Sequence, residues 1–152
     1  MLAAAVITAA APVGAAVHHC TVNDVGQPGD SIAGTDGPDK IICLGGIPTG
    51  GTVDGKGGDD TIAVLRNAGT VLGGLGDDKV RIGAQAESAA NDFGLVGGGP
   101  GDDAITIGSG PSDDLGGHGD LGTVDAGYGR DTCTFHPRPE GRVSGCEAAP
   151  QA

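Results

Sequence analysis

Five aspartates, Asp39, Asp60, Asp78, Asp103 and Asp131, each stand at the sixth position of a nine-residue stretch with glycines at recurring offsets before them. The stretches read GTDGPDKII (34–42), GKGGDDTIA (55–63), GGLGDDKVR (73–81), GGPGDDAIT (98–106) and AGYGRDTCT (126–134). Carboxylates and unobstructed backbone carbonyls are both oxygen donors, the ligand type of a hard cation, and glycine lets a carbonyl approach without steric obstruction. Asp59, Asp77 and Asp102 directly precede three of the five, and only Lys40, Lys79 and Arg130 stand nearby to offset the charge. A merely solvated acidic face would need no glycines at fixed spacing, so the pattern favours a site over a surface.

Each stretch follows a short lead-in. The lead-ins are Asp30-Ser31-Ile32-Ala33, Gly51-Thr52-Val53-Asp54, Gly69-Thr70-Val71-Leu72, Gly94-Leu95-Val96-Gly97 and Gly122-Thr123-Val124-Asp125. They begin 21, 18, 25 and 28 residues apart, so the shortest step is two nonapeptides and the others carry 3, 7 and 10 extra residues. These extras all fall between one nonapeptide and the next lead-in, which predicts insertions on one edge and the aspartate turns on the other. Period-two alternation puts three columns inside: Ile32, Val53, Val71, Val96, Val124; then Ile41, Ile62, Val80, Ile105, Cys133; then Cys43, Val64, Ile82, Ile107, Phe135. The pattern reads as short parallel strands, and the abundant glycine argues against helix. Only residues 84–91, in the seven-residue insertion, could make a helical turn, and a loop is the better reading there.

The stretch at 73–81 reads G-G-x-G-x-D-x-U-x without a fault and recurs in register, and over residues 30–135 the chain resembles the RTX (haemolysin-type) calcium-binding repeat family. The resemblance implies an all-β, right-handed parallel β-roll, or β-solenoid, of about five coils. It also implies calcium as the bound ion, held between neighbouring turns by the sixth-position aspartates and by backbone carbonyls. Carried over, the ligands are Asp39, Asp60, Asp78, Asp103 and Asp131. The glycines that free the turns are Gly34, Gly37, Gly55, Gly58, Gly73, Gly76, Gly98, Gly101 and Gly129. Five turns leave four gaps. Those between Asp60 and Asp78 and between Asp78 and Asp103 have the fullest motifs on both sides. Thr35 and Pro38 in the first turn, and Ala126 and Arg130 in the last, depart from the pattern and set the terminal gaps apart. The run GGHGDL (116–121) imitates half a motif, has Leu where the ligand belongs, and reads as a loop.

The composition agrees with stacked repeats. With 32 glycines, no Trp, one Tyr and two Phe, the chain lacks the aromatic bulk of a compact globular core. Repeats that bury their faces only against neighbours need few large side chains. A formal charge of −12 makes nucleic acid and anionic membrane poor partners. Residues 1–16 are small and apolar, with candidate cleavage points near Ala15 or Ala16, and look like a secretory signal although no Lys or Arg precedes the run. The run is too short to span a bilayer, so no membrane insertion is expected.

Four cysteines behind an export-like leader suggest disulfides, with three possible connectivities. In the coil assignment Cys43 and Cys133 are four strand spacings apart, roughly 19 Å. A bridge needs Cα atoms within about 7 Å. That excludes a Cys43–Cys133 bond, and Cys20 with Cys43 and Cys133 with Cys146 is then the natural pairing, each clamping one open end. The resulting partition is a leader (1–16), an N-terminal cap (17–29), the β-roll (30–135) and a C-terminal cap and tail (136–152). The adjacent His18, His19 and Cys20 lack convergent partners for a transition metal, and His118 and His136 read as solvated.

The expected function is therefore calcium binding by a secreted, extracellular, non-catalytic module with a structural or adhesive role and an unspecified protein or polysaccharide partner. Two alternatives stand beside it. Thr52, Thr70 and Thr123 recur at one outward position, as in an ice- or surface-binding solenoid, although Ser31 and Leu95 interrupt them. The chain could also be a fragment of a larger calcium-dependent RTX enzyme. Catalysis by its own residues is not expected, since Arg66, Arg81 and His118 share no pattern suited to acid–base work.

Overall fold

The computed structural model describes residues 20–85, 94–108, 122–135 and 141–147. These residues are all β, without helix, and make two largely parallel sheets. The chain opens with an antiparallel hairpin, β1 (Cys20–Val22) and β2 (Val25–Gln27). Six strands then form one parallel sheet: β3 (Ser31–Ala33), β5 (Thr52–Asp54), β7 (Thr70–Leu72), β9 (Leu95–Pro100), β11 (Thr123–Tyr128) and β13 (Arg142–Ser144). The strands between them in sequence form the other: β4 (Lys40–Cys43), β6 (Thr61–Asn67), β8 (Lys79–Gln85), β10 (Ala104–Ile107), β12 (Asp131–Phe135) and β14 (Cys146–Glu147). The hairpin extends this second sheet beyond β4.

Register follows the sequence repeat without a slip. Ser31, Thr52, Thr70, Leu95 and Thr123 are successive partners across one sheet, and Ile41, Ile62, Val80, Ile105 and Cys133 across the other. Alternation then decides what is inside. From Asp60 through Ile62 to Val64 every second residue is buried, and the three apolar columns join in one core cluster. Ile107 and Phe135, the last members of the third column, are only partly buried. Each fully buried Val or Ile is worth about 1.5–3 kcal/mol relative to exposure, so a core without aromatic bulk still accumulates substantial stabilisation along the stack.

Three features lie outside the sequence expectations. Residues 141–147, assigned there to cap and tail, supply a sixth strand to each sheet: Val143 pairs with Val124 and Cys146 with Asp131. The signal was present, since Gly141-Arg142-Val143-Ser144 repeats the form of Gly122-Thr123-Val124-Asp125, but Gly145 alone stands where a nonapeptide turn would begin. The N-terminal cap is a hairpin because Asn23 and Asp24 take φ values of 51° and 65°, as a type I′ turn requires. Finally, Ala84 and Gln85 continue β8 and pair with Arg66 and Asn67, so the segment read as a loop or helical turn starts as strand. Its remainder lies outside the described residues.

The disulfides join Cys20 to Cys43 and Cys133 to Cys146, as expected. Cys20 faces Cys43 across the antiparallel β1–β4 pair, and Cys146 ties the edge strand β14 to β12. Of the three longer connections, only that in residues 43–50 is described throughout. It sends Ile47 into the core and bridges it to Asn67. Asn67, fully buried, accepts the Gly69 N–H and donates to the Leu95 carbonyl of the next repeat.

Candidate metal centre

The sixth-position aspartates are interior residues of the pleat, two positions before the first apolar residue of each strand. All five are buried, from 4% exposed at Asp39 to 0% at Asp131. Each carboxylate but the first is reached by the backbone of the repeat before it. Asp39 N–H donates to Asp60 Oδ1 (2.8 Å), Asp60 N–H to Asp78 Oδ1 (2.8 Å), Asp78 N–H to Asp103 Oδ1 (2.8 Å) and Asp103 N–H to Asp131 Oδ1 (2.9 Å). The second oxygens are different. Oδ2 of Asp60, Asp78, Asp103 and Asp131 is buried without a hydrogen-bond partner. A buried acceptor left unpaired costs about 1–3 kcal/mol, and more when charged.

Three of those oxygens, on Asp60, Asp78 and Asp103, face glycine. A Cβ added at Gly55 would sit 2.2 Å from Asp60 Oδ2 and 2.1 Å from the Gly73 carbonyl oxygen of the next repeat. The same pair of oxygens recurs around Gly73 (Asp78 and Gly98) and around Gly98 (Asp103 and Ala126). The first-position glycines are therefore required by crowding. At Gly76 the requirement is conformational as well, with φ 123° and the Gly58 carbonyl 2.5 Å from an added Cβ; Gly58, Gly101 and Gly129 share it. Gly34 is crowded by Asp39 and Gly55, whereas a Cβ at Gly37 would meet only Thr35 Oγ1, at 4.0 Å, and its φ is ordinary, so its assigned role in freeing the first turn has no counterpart in the geometry.

Burial pushes the Asp78 and Asp103 carboxyls up to about 6, with the neighbouring aspartates adding to the rise. Asp60 is raised for the same first reason. Asp39 moves the other way. The Thr35 N–H holds it below the usual carboxylate value against the effect of burial, helped by the Asn23 and Thr35 side chains. No described Lys or Arg forms an ion pair with any of the five.

This donor set suits a hard cation: unpartnered carboxylate oxygens, carbonyl oxygens beside them, and no nitrogen or sulfur ligand in the column. Among the described residues no three His, Cys, Asp or Glu side chains converge as a metal cage, so carbonyls would have to complete any site. Asp60, Asp78 and Asp103 are each brought beside a carbonyl of the following repeat; Asp131 has no following nonapeptide.

The departures in the terminal turns become intelligible through a second ladder. The exposed fifth-position aspartates accept from the repeat after them: Asp77 N–H donates to Asp59 Oδ1 (3.0 Å), Asp102 N–H to Asp77 Oδ1 (2.8 Å) and Arg130 N–H to Asp102 Oδ1 (2.8 Å). Pro38 occupies this position in the first turn, where no earlier Asp waits for an N–H, and Arg130 occupies it in the last, where only the N–H is used. Each is an end-of-ladder residue.

The outward column that suggested a surface-binding role reads Ser31, Thr52, Thr70, Leu95, Thr123, Arg142, and its neighbour Ala33, Asp54, Leu72, Gly97, Asp125, Ser144. Neither presents a uniform ladder. His18, His19, His118, His136 and the GGHGDL run lie outside the described residues, as does the leader-like segment 1–16. No helix among the described residues is long and apolar enough to cross a membrane. No family model, no curated protein and no solved structure matches this chain.

Proposed function

We propose that this chain is a secreted, non-catalytic calcium-binding β-roll of the RTX type, its two parallel sheets being the walls of a right-handed solenoid clamped at both ends by disulfides. The single observation that carries the reading is the column of buried carboxylates whose second oxygens have no partner. Asp60, Asp78 and Asp103, with the carbonyls of Gly73, Gly98 and Ala126, are the residues that would hold the ions. Calcium supplies positive charge that neutralises neighbouring turns and links them. A ligand that binds only the folded chain adds RT ln(1 + [L]/Kd), or about 2.7 kcal/mol per site at a hundredfold excess over Kd. Extracellular modules work with Kd of roughly 10⁻⁴–10⁻³ M. The chain would then be poorly folded in a calcium-poor cytoplasm and complete its folding after export, where its disulfides also form.

The test is a calorimetric calcium titration combined with far-ultraviolet circular dichroism in calcium-free and calcium-containing buffer. Heat of binding with a gain of strand signal is expected. Absence of heat together with superimposable spectra would sink the reading.

A further inference from the structure

Five aspartates share one position, yet one of them is satisfied by the protein alone. Asp39 Oδ1 accepts from Asn23 Nδ2 (2.5 Å), and its Oδ2 accepts from the Thr35 N–H (2.5 Å) and from Thr35 Oγ1 (3.0 Å). The four later aspartates each have an Oδ2 with no donor. The three hydrogens around Asp39 stand where a cation would have to approach, and they already supply the positive charge that the carboxylate needs.

Asn23 is itself held in place. Its N–H donates to the Lys40 carbonyl (2.9 Å), and its Oδ1 accepts the Lys40 N–H (2.9 Å). Its backbone sits at the apex of the type I′ turn, and the strand leading to that turn is fixed to β4 by the Cys20–Cys43 disulfide. The hairpin thus stands in for a preceding repeat: where later carboxylates receive a backbone N–H from the turn before, Asp39 receives a side-chain amide. Thr35 completes the arrangement. It is the second residue of its turn, a position held by Lys56, Gly74, Gly99 and Gly127 in the others, none of which carries a hydroxyl.

We infer that the N-terminal hairpin and first turn form a metal-independent end, closed by Asn23, Thr35 and the Cys20–Cys43 disulfide, on which the calcium-dependent repeats assemble, and that Asp39 is a capping residue and not a calcium ligand. This rests on the calcium reading above and deepens it. Cation binding is then confined to the three gaps among the four unsatisfied aspartates, Asp60 to Asp78, Asp78 to Asp103 and Asp103 to Asp131. Order spreads from the N-terminal end as calcium rises.

The experiment uses the full disulfide-bonded chain. Amide hydrogen exchange is followed by mass spectrometry in calcium-free buffer and in excess calcium, beside calorimetric titration of the wild type, Asp39→Asn and Asp78→Asn. In calcium-free buffer the Asn23, Thr35 and Lys40 amides should exchange at least about tenfold more slowly than those of Asp60, Asp78 and Asp103, which should gain protection only with calcium. Asp39→Asn should keep the wild-type calcium stoichiometry, and Asp78→Asn should lose at least one ion. The inference is overturned if Asp39→Asn loses an ion as Asp78→Asn does, or if the Thr35 and Lys40 amides are protected only when calcium is present. The exchange comparison needs no substitution, so it decides the matter even if a variant fails to fold. Absence of calcium uptake by the wild type overturns the calcium reading itself and the division of repeats with it, an outcome distinct from an ion lost on changing Asp39 alone.

Discussion

Residues of the same type, one position apart in the same turns, behave as opposites. The sixth-position aspartates are buried and accept from the repeat before them; the fifth-position aspartates are exposed and accept from the repeat after them. The pleat alone explains the burial, because adjacent residues of an extended strand point to opposite faces. What differs chemically follows from it. An exposed carboxylate keeps water on its second oxygen, so Asp77 acts as a hydrogen-bond acceptor between turns and needs nothing more. Asp78, one residue later, is buried, and its second oxygen meets no donor from the protein, an arrangement that a proton or a cation would satisfy. Sequence identity of the side chain therefore says less about function than the face on which the strand delivers it.

The comparison is tested most severely at the glycine that makes room for the inner carboxylate. Gly55→Ala would drive a methyl group into Asp60 Oδ2 and the Gly73 carbonyl, neither of which can retreat within the stack. A loss of about 3 kcal/mol or more is expected in chemical denaturation with calcium present, while Gly37→Ala, whose methyl would meet only Thr35 Oγ1 at ordinary contact distance, should change stability by less than about 0.5 kcal/mol. Similar losses for the two would mean that the inner column is not crowded.

Next in size is the direct exchange of the two aspartates. Asp78→Ala strands the buried Asp60 N–H and removes a carboxylate shared by two gaps, and should cost about 2–3 kcal/mol besides weakening calcium uptake. Asp77→Ala frees only the exposed Asp102 N–H, which water can reach, and should cost under about 1 kcal/mol with uptake unchanged. Equal effects on calorimetric titration would remove the distinction between the ladders.

Acidity sharpens the contrast without any substitution. With Asp78 and Asp103 raised from 3.8 to about 6, the folded metal-free chain holds protons between those values that the unfolded chain has lost. The contribution of these two groups to stability is therefore complete below pH 4 and is lost as pH rises through 6. Asp39, held low, opposes this only below its ordinary value, where its own contribution disappears. Thermal unfolding in calcium-free buffer should show a higher midpoint at pH 4.5 than at pH 7.5, and calcium should raise the midpoint far more at pH 7.5, where protons no longer compete for the carboxylates. A midpoint that climbs steadily from pH 4.5 to 7.5 without metal would contradict the burial of charge described here.

The smallest effect concerns Lys56. It takes φ 73° at a position where Gly74, Gly99 and Gly127 stand in later turns. Lys56→Gly should relieve left-handed strain and stabilise the chain by about 1 kcal/mol in denaturant titration, less the backbone entropy that glycine adds to the unfolded state. A destabilisation would mean that the Lys56 side chain contributes more than its backbone costs.

Much of this was legible along the chain. Steps of 21, 18, 25 and 28 residues pointed to the observed register because Val53, Val71 and Val96 must share a face with one another, and a slip of one residue would have turned each of them to solvent. The cysteine pairing followed from the distance between the end strands, whereas fifth- and sixth-position aspartates read from the sequence as one acidic edge, and the structure buries Asp60, Asp78 and Asp103 while leaving Asp59, Asp77 and Asp102 exposed. The sixth strand pair was also within reach, through Gly141-Arg142-Val143-Ser144, but lacked the nonapeptide that marked the others. Tertiary structure alone decided which carboxylate oxygens find partners. Asp39 and Asp78 stand in like motifs, and nothing local reveals that Asn23, 16 residues earlier, reaches the first while no donor reaches Oδ2 of the second. It also decided that Pro38 and Arg130 are fitting ends of a ladder rather than lapses from a motif. The reason is physical. Alternation is a property of one strand and is written in its residues, whereas the satisfaction of a buried oxygen depends on donors brought alongside it from other repeats, and their placement exists only once the chain has folded.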